Sequence, residues 1–284
     1  MGKEKCEIAF LRAYQRSGTN WVGNLLNLHP EITCKGEFHW ERIFFAFNHT
    51  KNDNFGLMSE DSKILNQEFF RFVERTIKRY CKHAPVCVER TPLRISDAFF
   101  PNRKYIFITR DGKDILVSWC YHLLRMQMRK GAYWNKKNSL FEKNPLYFEE
   151  NKHLLLDNEE FVRKNAKDWN DCIVKDFKWL KFSDLGKRKF KYYWVKYEDL
   201  VGDTEKYRKE IYSFLEVEPN KAEPLNDITV AGFKRDQKVN TKSHYRKGKA
   251  GAWREYFTDE QLRWFNEEAG EALELLQLKV AHKL

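Results

Sequence analysis

Four short segments, 8–14, 86–89, 105–109 and 192–196, are dense in apolar, β-branched and aromatic residues and predict strands. Between them apolar positions recur at helical spacing over 19–28, 65–80, 113–128, 158–180, 204–215 and 259–276. Thr258 and Gln261 form a capping box at the start of the last helix. Strands alternating with long amphipathic helices predict an α/β fold, a central parallel sheet flanked by helices, with anion sites at the strand C-terminal ends. The stretch 129–158 carries Gly131, Asn135, Asn138, Asn144 and Pro145 among aromatics and reads as a long irregular insertion, a place for ligand recognition. No repeat of 20–50 residues interrupts the pattern, and 284 residues suit one domain, 1–284.

One junction carries chemistry. Tyr14-Gln15-Arg16-Ser17-Gly18-Thr19-Asn20-Trp21 runs from a predicted strand through a glycine into a helix start. Such a turn aims backbone N–H groups and a helix N-terminus at one point, which favours a phosphate-like anion. Arg16 adds a permanent forked donor, and Ser17 and Thr19 add hydroxyls. Taken alone, the Ser-Gly-Thr run reads equally well as a plain helix cap. Further anion-binding groups follow. Arg110 leaves a predicted strand and Ser118 lies about two turns into the next helix, so both can converge on one group. The polar stretch 227–253 carries seven lysines and arginines, among them Arg246-Lys247-Gly248 ahead of Gly251 and Trp253. It reads either as a basic loop or as a flap over a ligand.

Charge points the same way. Fifty-two Lys and Arg against 41 Asp and Glu give a net charge of +11, which suits a partner bearing several negative charges. Six cysteines, Cys6, Cys34, Cys81, Cys87, Cys120 and Cys172, show no Cys-x-x-Cys spacing and no histidine pattern for zinc, so reduced core thiols and no metal are expected. The first strand begins almost at once, leaving no room for a signal peptide, and no apolar run reaches membrane-spanning length. A cytoplasmic protein is the expectation. Met1-Gly2 looks like an acylation start, but Cys6 stands where Ser or Thr is wanted.

Together these residues resemble the sulfotransferases that use 3′-phosphoadenosine 5′-phosphosulfate (PAPS). In that family a Lys/Arg-Ser-Gly-Thr-Thr-Trp loop after the first strand holds the 5′-phosphosulfate. An Arg with a Ser eight residues later, and a late Arg-Lys-Gly, hold the 3′-phosphate. All three motifs stand here in family order, over residues 8–257. The resemblance implies a P-loop-like sulfotransferase fold and transfer of a sulfuryl group from PAPS to an acceptor hydroxyl, releasing 3′,5′-adenosine bisphosphate. It places Arg16, Ser17, Gly18, Thr19, Asn20 and Trp21 on the 5′ side, and Arg110, Ser118, Arg246, Lys247 and Gly248 on the 3′-phosphate. Tyr197, in Tyr197-Glu198-Asp199, and Phe233 are assigned to the nucleotide as well. Asn20 departs from the family's second Thr, exchanging a hydroxyl for an amide. Trp21 reads equally as an adenine contact or a core residue.

The attacking hydroxyl needs a base. The phenol and steroid branch has a histidine ahead of a proline where this chain has Glu89-Arg90-Thr91-Pro92. Instead, His29-Pro30 leading to Gly36-Glu37 resembles the tyrosylprotein and carbohydrate branches, whose Gly-Glu carboxylate is the base. Glu37 is therefore the first candidate, with His39, Glu89 and His122 as rivals. A carboxylate base tilts the acceptor toward a carbohydrate or other aliphatic alcohol. Two other readings compete. A P-loop kinase fits the Gly18 to Gly23 spacing, yet Asn24-Leu25 replaces the required Lys-Ser/Thr. A nucleic-acid binder fits the charge, yet the 15% aromatic residues are spread through predicted core segments.

Overall fold

The computed structural model describes residues 6–52, 59–82, 84–92, 100, 102–184, 190–225, 241 and 249–281. Five parallel strands form one sheet: β1 (Glu7–Ala13), β2 (Ile32–Lys35), β3 (Val86–Arg90), β4 (Lys104–Thr109) and β5 (Lys191–Lys196), in the order β2-β3-β1-β4-β5. β1 lies at the centre, with Phe10 opposite Glu89 on one side and Tyr105 on the other. Parallel strands cannot be joined by tight hairpins, so helices make the crossovers and cover both faces.

Alternation along each strand sorts the core into two layers. Ile8, Phe10, Cys87, Tyr105, Phe107 and Trp194 face one way. They pack with residues of α3 (Ser59–Tyr80), α4 (Gly112–Met126), α7 (Glu159–Asp184) and α10 (Asp259–Ala281). Ala9, Leu11, Val88, Ile106, Ile108 and Val195 face the other way, against α1 (Thr19–Leu26) and α9 (Thr204–Phe214). A short helix α8 (Tyr197–Gly202) follows β5 directly.

The four predicted strands and six predicted helices are present, and several further elements were not anticipated. β2 has only four residues, and α2 (Trp40–Asn52) has mixed polarity all round. The stretch 129–158 is not an irregular loop. It folds as α5 (Ala132–Lys143), α6 (Tyr147–Glu150) and a 3-10 helix, Lys152–Leu156. Gly131 and Asn144 are the boundaries of α5 rather than signs of a loop. Phe141, Phe148, Leu155 and Leu156 are buried, and the Lys137 ammonium, 2.9 Å from Asp157, also donates to the backbone of Leu154 and Leu155. The six cysteines are free thiols, and five of them are buried.

Candidate active site

The chain leaves β1 for α1 and β2 on one side, then returns through β3 to reach β4 on the other, so the strand order reverses beside β1. Ligand crevices in open α/β sheets form at such reversals, outside the carboxyl ends of the strands. All five strand ends deliver a residue of interest there: Arg16 after β1, Glu37 after β2, Arg90 on β3, Arg110 after β4 and Tyr197 after β5.

The turn after β1 is tight. Ser17 N–H donates to Tyr14 O at 3.2 Å, Arg16 has φ 66°, and Gly18 precedes α1 with φ 93°. Gly18 is required twice over, by its left-handed backbone and by space, because a Cβ there would lie 2.7 Å from the Tyr197 ring. The first N–H groups of α1 have no intrahelical partner, and they open toward the same crevice. Ser17 is fully buried, and its Oγ has no hydrogen-bond partner among the described residues.

The first two anion motifs meet in space. Arg16 Nε donates to Ser118 Oγ at 3.2 Å, across 102 residues of sequence. Arg110 donates to the Arg16 carbonyl at 3.0 Å, and its guanidinium lies 4.3 Å from the Tyr197 ring centroid. Arg110 Nε is buried and has no hydrogen-bond partner among the described residues. Tyr197 also meets Trp21 edge-on at 5.7 Å. Trp21 is 4% exposed within the α1 core layer, which favours its reading as a packing residue. Thr19 is buried at the helix start, and Asn20 Oδ1 accepts from Arg90 at 2.5 Å. Phe233, Arg246, Lys247 and Gly248 lie outside the described residues.

The four base candidates end in different surroundings. Glu37 and His39 are neighbours, Oε2 to Nε2 3.6 Å, with each side chain about one-third exposed (34% and 33%). Gly36 must be glycine, since a Cβ there would sit 1.8 Å from the Arg90 carbonyl oxygen. Glu89 is buried, its Oε2 2.6 Å from Arg12 and its Oε1 accepting from the Thr91 hydroxyl. His122 stacks on Trp119 with ring centroids 5.3 Å apart and has Nδ1 3.4 Å from Arg125.

Sequence reasoning missed three groups. Arg90 puts a cation beside Asn20 and Gly23 of α1 while its backbone carbonyl lies against Gly36, and its Nε is buried without a hydrogen-bond partner among the described residues. Nothing local marks it; only the pairing of β3 with β1 and β2 brings it there. Glu198 accepts from the Asp111 N–H at 2.9 Å and ties the end of β5 to the start of α4, with burial pushing its carboxyl pKa up. Asp114 accepts from the N–H groups of Gly251 and Trp253. Among the described residues, no group of three or more His, Cys, Asp or Glu is placed to hold a metal ion, and no helix is long and apolar enough to cross a membrane.

The sequence model of the family described as the sulfotransferase domain matches residues 8–277. A protein-tyrosine sulfotransferase of Drosophila melanogaster is 24% identical over 202 residues, covering 59% of this chain. The match covers 39% of that relative's length. Among solved structures, mouse sulfotransferase SULT7A1 complexed with PAP aligns with a TM-score of 0.52 at 19% identity, covering 98% of this chain and 89% of that one. At that identity the likeness speaks for the fold.

Proposed function

We propose that this chain, which belongs to the sulfotransferase domain family, transfers a sulfuryl group from PAPS to an acceptor hydroxyl, a carbohydrate or other small alcohol, releasing 3′,5′-adenosine bisphosphate. The observation that carries the reading is the meeting of Arg16 with Ser118 and of Arg110 with the Arg16 backbone. Two nucleotide-binding motifs a hundred residues apart thereby form one cationic crevice. The crevice fits the nucleotide: the buried Ser17 Oγ and Arg110 Nε lack partners among the described residues, and both are donors suited to phosphate oxygens.

PAPS supplies a sulfuryl group already joined to a phosphate leaving group, so the protein's task is positioning and charge stabilisation. The N–H groups at the start of α1 and the Arg16 guanidinium hold the 5′ side and offset charge on the leaving phosphate. Arg110 and Ser118 hold the 3′-phosphate, joined in sequence by Arg246, Lys247 and Gly248. Tyr197 and Phe233 serve the nucleotide's adenosine. Glu37, partly exposed, takes the proton from the acceptor hydroxyl, and His39 at 3.6 Å is placed to relay it or to hold the carboxylate in orientation. An aliphatic hydroxyl titrates far above neutral pH, which is why a carboxylate base helps it most. A peptide tyrosine is the second acceptor reading, favoured by the similarity to a protein-tyrosine sulfotransferase. A cytoplasmic setting belongs to the same proposal, supported by the six free thiols.

The test begins with thermal unfolding in 3′,5′-adenosine bisphosphate, 5′-AMP and Mg-ATP, since a ligand that binds the folded state raises its stability. Selective stabilisation by the bisphosphate is expected, followed by transfer of labelled sulfate from PAPS to sugar alcohols rather than tyrosine peptides. Stabilisation by Mg-ATP alone would replace the reading with a kinase. Salt-dependent nucleic-acid binding without a nucleotide preference would replace it with a nucleic-acid binder.

A further inference from the structure

We infer that Cys6 and Cys87 form a thiol redox site, closing a reversible disulfide between them when a hydroperoxide oxidises the protein. The site is independent of the PAPS reading, because it lies at the N-terminal ends of β1 and β3, away from the crevice at their carboxyl ends. Cys6 directly precedes β1, and Cys87 is the second residue of β3. Ile8 stands opposite Cys87 in the parallel register, and side chains two apart on a strand share a face. Cys6 accordingly packs on the same core layer as Ile8 and Cys87. The two sulfurs are 3.4 Å apart across 81 residues of sequence. A disulfide bond is about 2.05 Å long, so they have only about 1.4 Å to close.

A third thiol decides which sulfur reacts first. Cys81, just past the end of α3, accepts a hydrogen bond from the Cys87 thiol, and that bond pushes the Cys87 pKa up and brings the Cys81 pKa down. Cys87 thus holds its proton and is a poor first target. Cys81 is 2% exposed and donates to the Thr33 carbonyl at 3.7 Å. Cys6 is partly exposed. Thiol oxidation follows solvent access as well as thiolate character, so Cys6 is the sulfur a peroxide meets and Cys87 the one that resolves it. Cys120 and Cys172 instead donate to the Leu155 carbonyl and the Asp176 carboxylate. Among the described residues the three clustered sulfurs are not placed to hold a metal ion, which leaves a cross-link as their joint chemistry.

The steps balance with hydrogen peroxide as the oxidant. The Cys6 sulfur attacks one peroxide oxygen, the O–O bond breaks, and Cys6 becomes a sulfenic acid with release of one water. The Cys87 sulfur then attacks the Cys6 sulfur and the S–O bond breaks. The departing hydroxide leaves as a second water with the proton that Cys87 gives up. Two thiols are oxidised and one peroxide is reduced, and a small dithiol reverses the change. The new bond ties β1 to β3 and encloses residues 6–87, which include the glycine turn, α1 and Glu37. A cross-link of that span restricts the unfolded chain and so favours the fold.

The experiment treats the folded full chain with hydrogen peroxide, alkylates the remaining thiols and maps tryptic peptides by mass spectrometry without reduction. Trypsin puts the three cysteines on separate peptides, 6–12, 80–82 and 83–90. The expected product links 6–12 to 83–90, with two of the six thiols lost and both recovered in dithiothreitol. The linked protein should unfold roughly 5–10 °C above the reduced one. Cys6→Ser should form no such link and gain no stability in peroxide. A link from 83–90 to 80–82 in its place, links only between molecules, or no link at all would overturn the inference. An equal yield from the urea-unfolded chain would also overturn it, since proximity in the fold would then not be the cause. Binding of 3′,5′-adenosine bisphosphate reports on the PAPS reading separately, and its failure would leave the thiol site standing.

Discussion

Glu89 lies on β3 and Glu37 just past the end of β2, strands that pair in register with Lys35 opposite Glu89, so both carboxylates lie close together at the end of the sheet. Their surroundings differ completely. Glu89 sits on β3, with no side-chain exposure, ion-paired to Arg12 and accepting from Thr91. Glu37 lies two residues past the end of β2, one-third exposed, beside a histidine that is itself one-third exposed. A fully buried carboxylate committed to a guanidinium is built for structure. One that keeps solvent access and a titratable neighbour can give and take protons. The lesson is that a residue type near a strand end does not define a role; the partner and the burial do.

Substitutions can break this comparison or sharpen it. The largest expected effect is that of Glu37→Gln, which should lower kcat by about 10²- to 10⁴-fold while bisphosphate affinity stays within twofold. Steady-state rates alongside calorimetry would reveal this, and unchanged kcat would move the base role to His39 or His122. Next comes Glu89→Ala, which leaves Arg12 buried without its counter-ion and should cost about 3–5 kcal/mol of stability in denaturant titrations. A stable, correctly folded but inactive Glu89→Ala protein would instead make Glu89 a participant in the reaction.

Arg110→Ala should weaken bisphosphate binding by about ten- to a hundredfold with little change for 5′-AMP, since charge-assisted hydrogen bonds contribute about 1.5–3 kcal/mol. The smallest effect concerns Glu198, whose carboxyl is raised in the fold chiefly by burial. A raised carboxyl binds its proton more tightly when folded. It therefore favours the fold most below the ordinary carboxylate range, and that favour is lost as pH rises through the raised value. Glu198→Gln removes this dependence while keeping an acceptor for Asp111 N–H. Its stability relative to wild type should improve between about pH 3 and pH 7, as read from thermal unfolding across that range.

Much of the molecule was legible from pattern. The strands 105–109 and 192–196 and the long helices announce themselves because buried strands are short apolar runs and amphipathic helices repeat every 3.6 residues. The glycine turn was legible too, since Gly18 between a strand and a helix start has few other uses. What escaped was short or of mixed polarity: the four residues of β2, the aromatic and charged α2, and the helices of 132–156, whose boundary residues Gly131 and Asn144 look like loop signals.

For this protein, then, the sequence by itself determined the class of fold, the family and the cationic groups proposed to bind a nucleotide, because these depend on local period and on residue chemistry. Only the tertiary structure decided which groups meet. Ser118 reaches Arg16, Arg90 reaches Asn20, Asp114 reaches Gly251, and Glu89 withdraws into an ion pair while Glu37 stays open. Those outcomes follow from parallel strand pairing and from helix packing on the sheet, which join segments seventy to a hundred and forty residues apart. No local pattern encodes the distance between side chains that only the assembled sheet brings together.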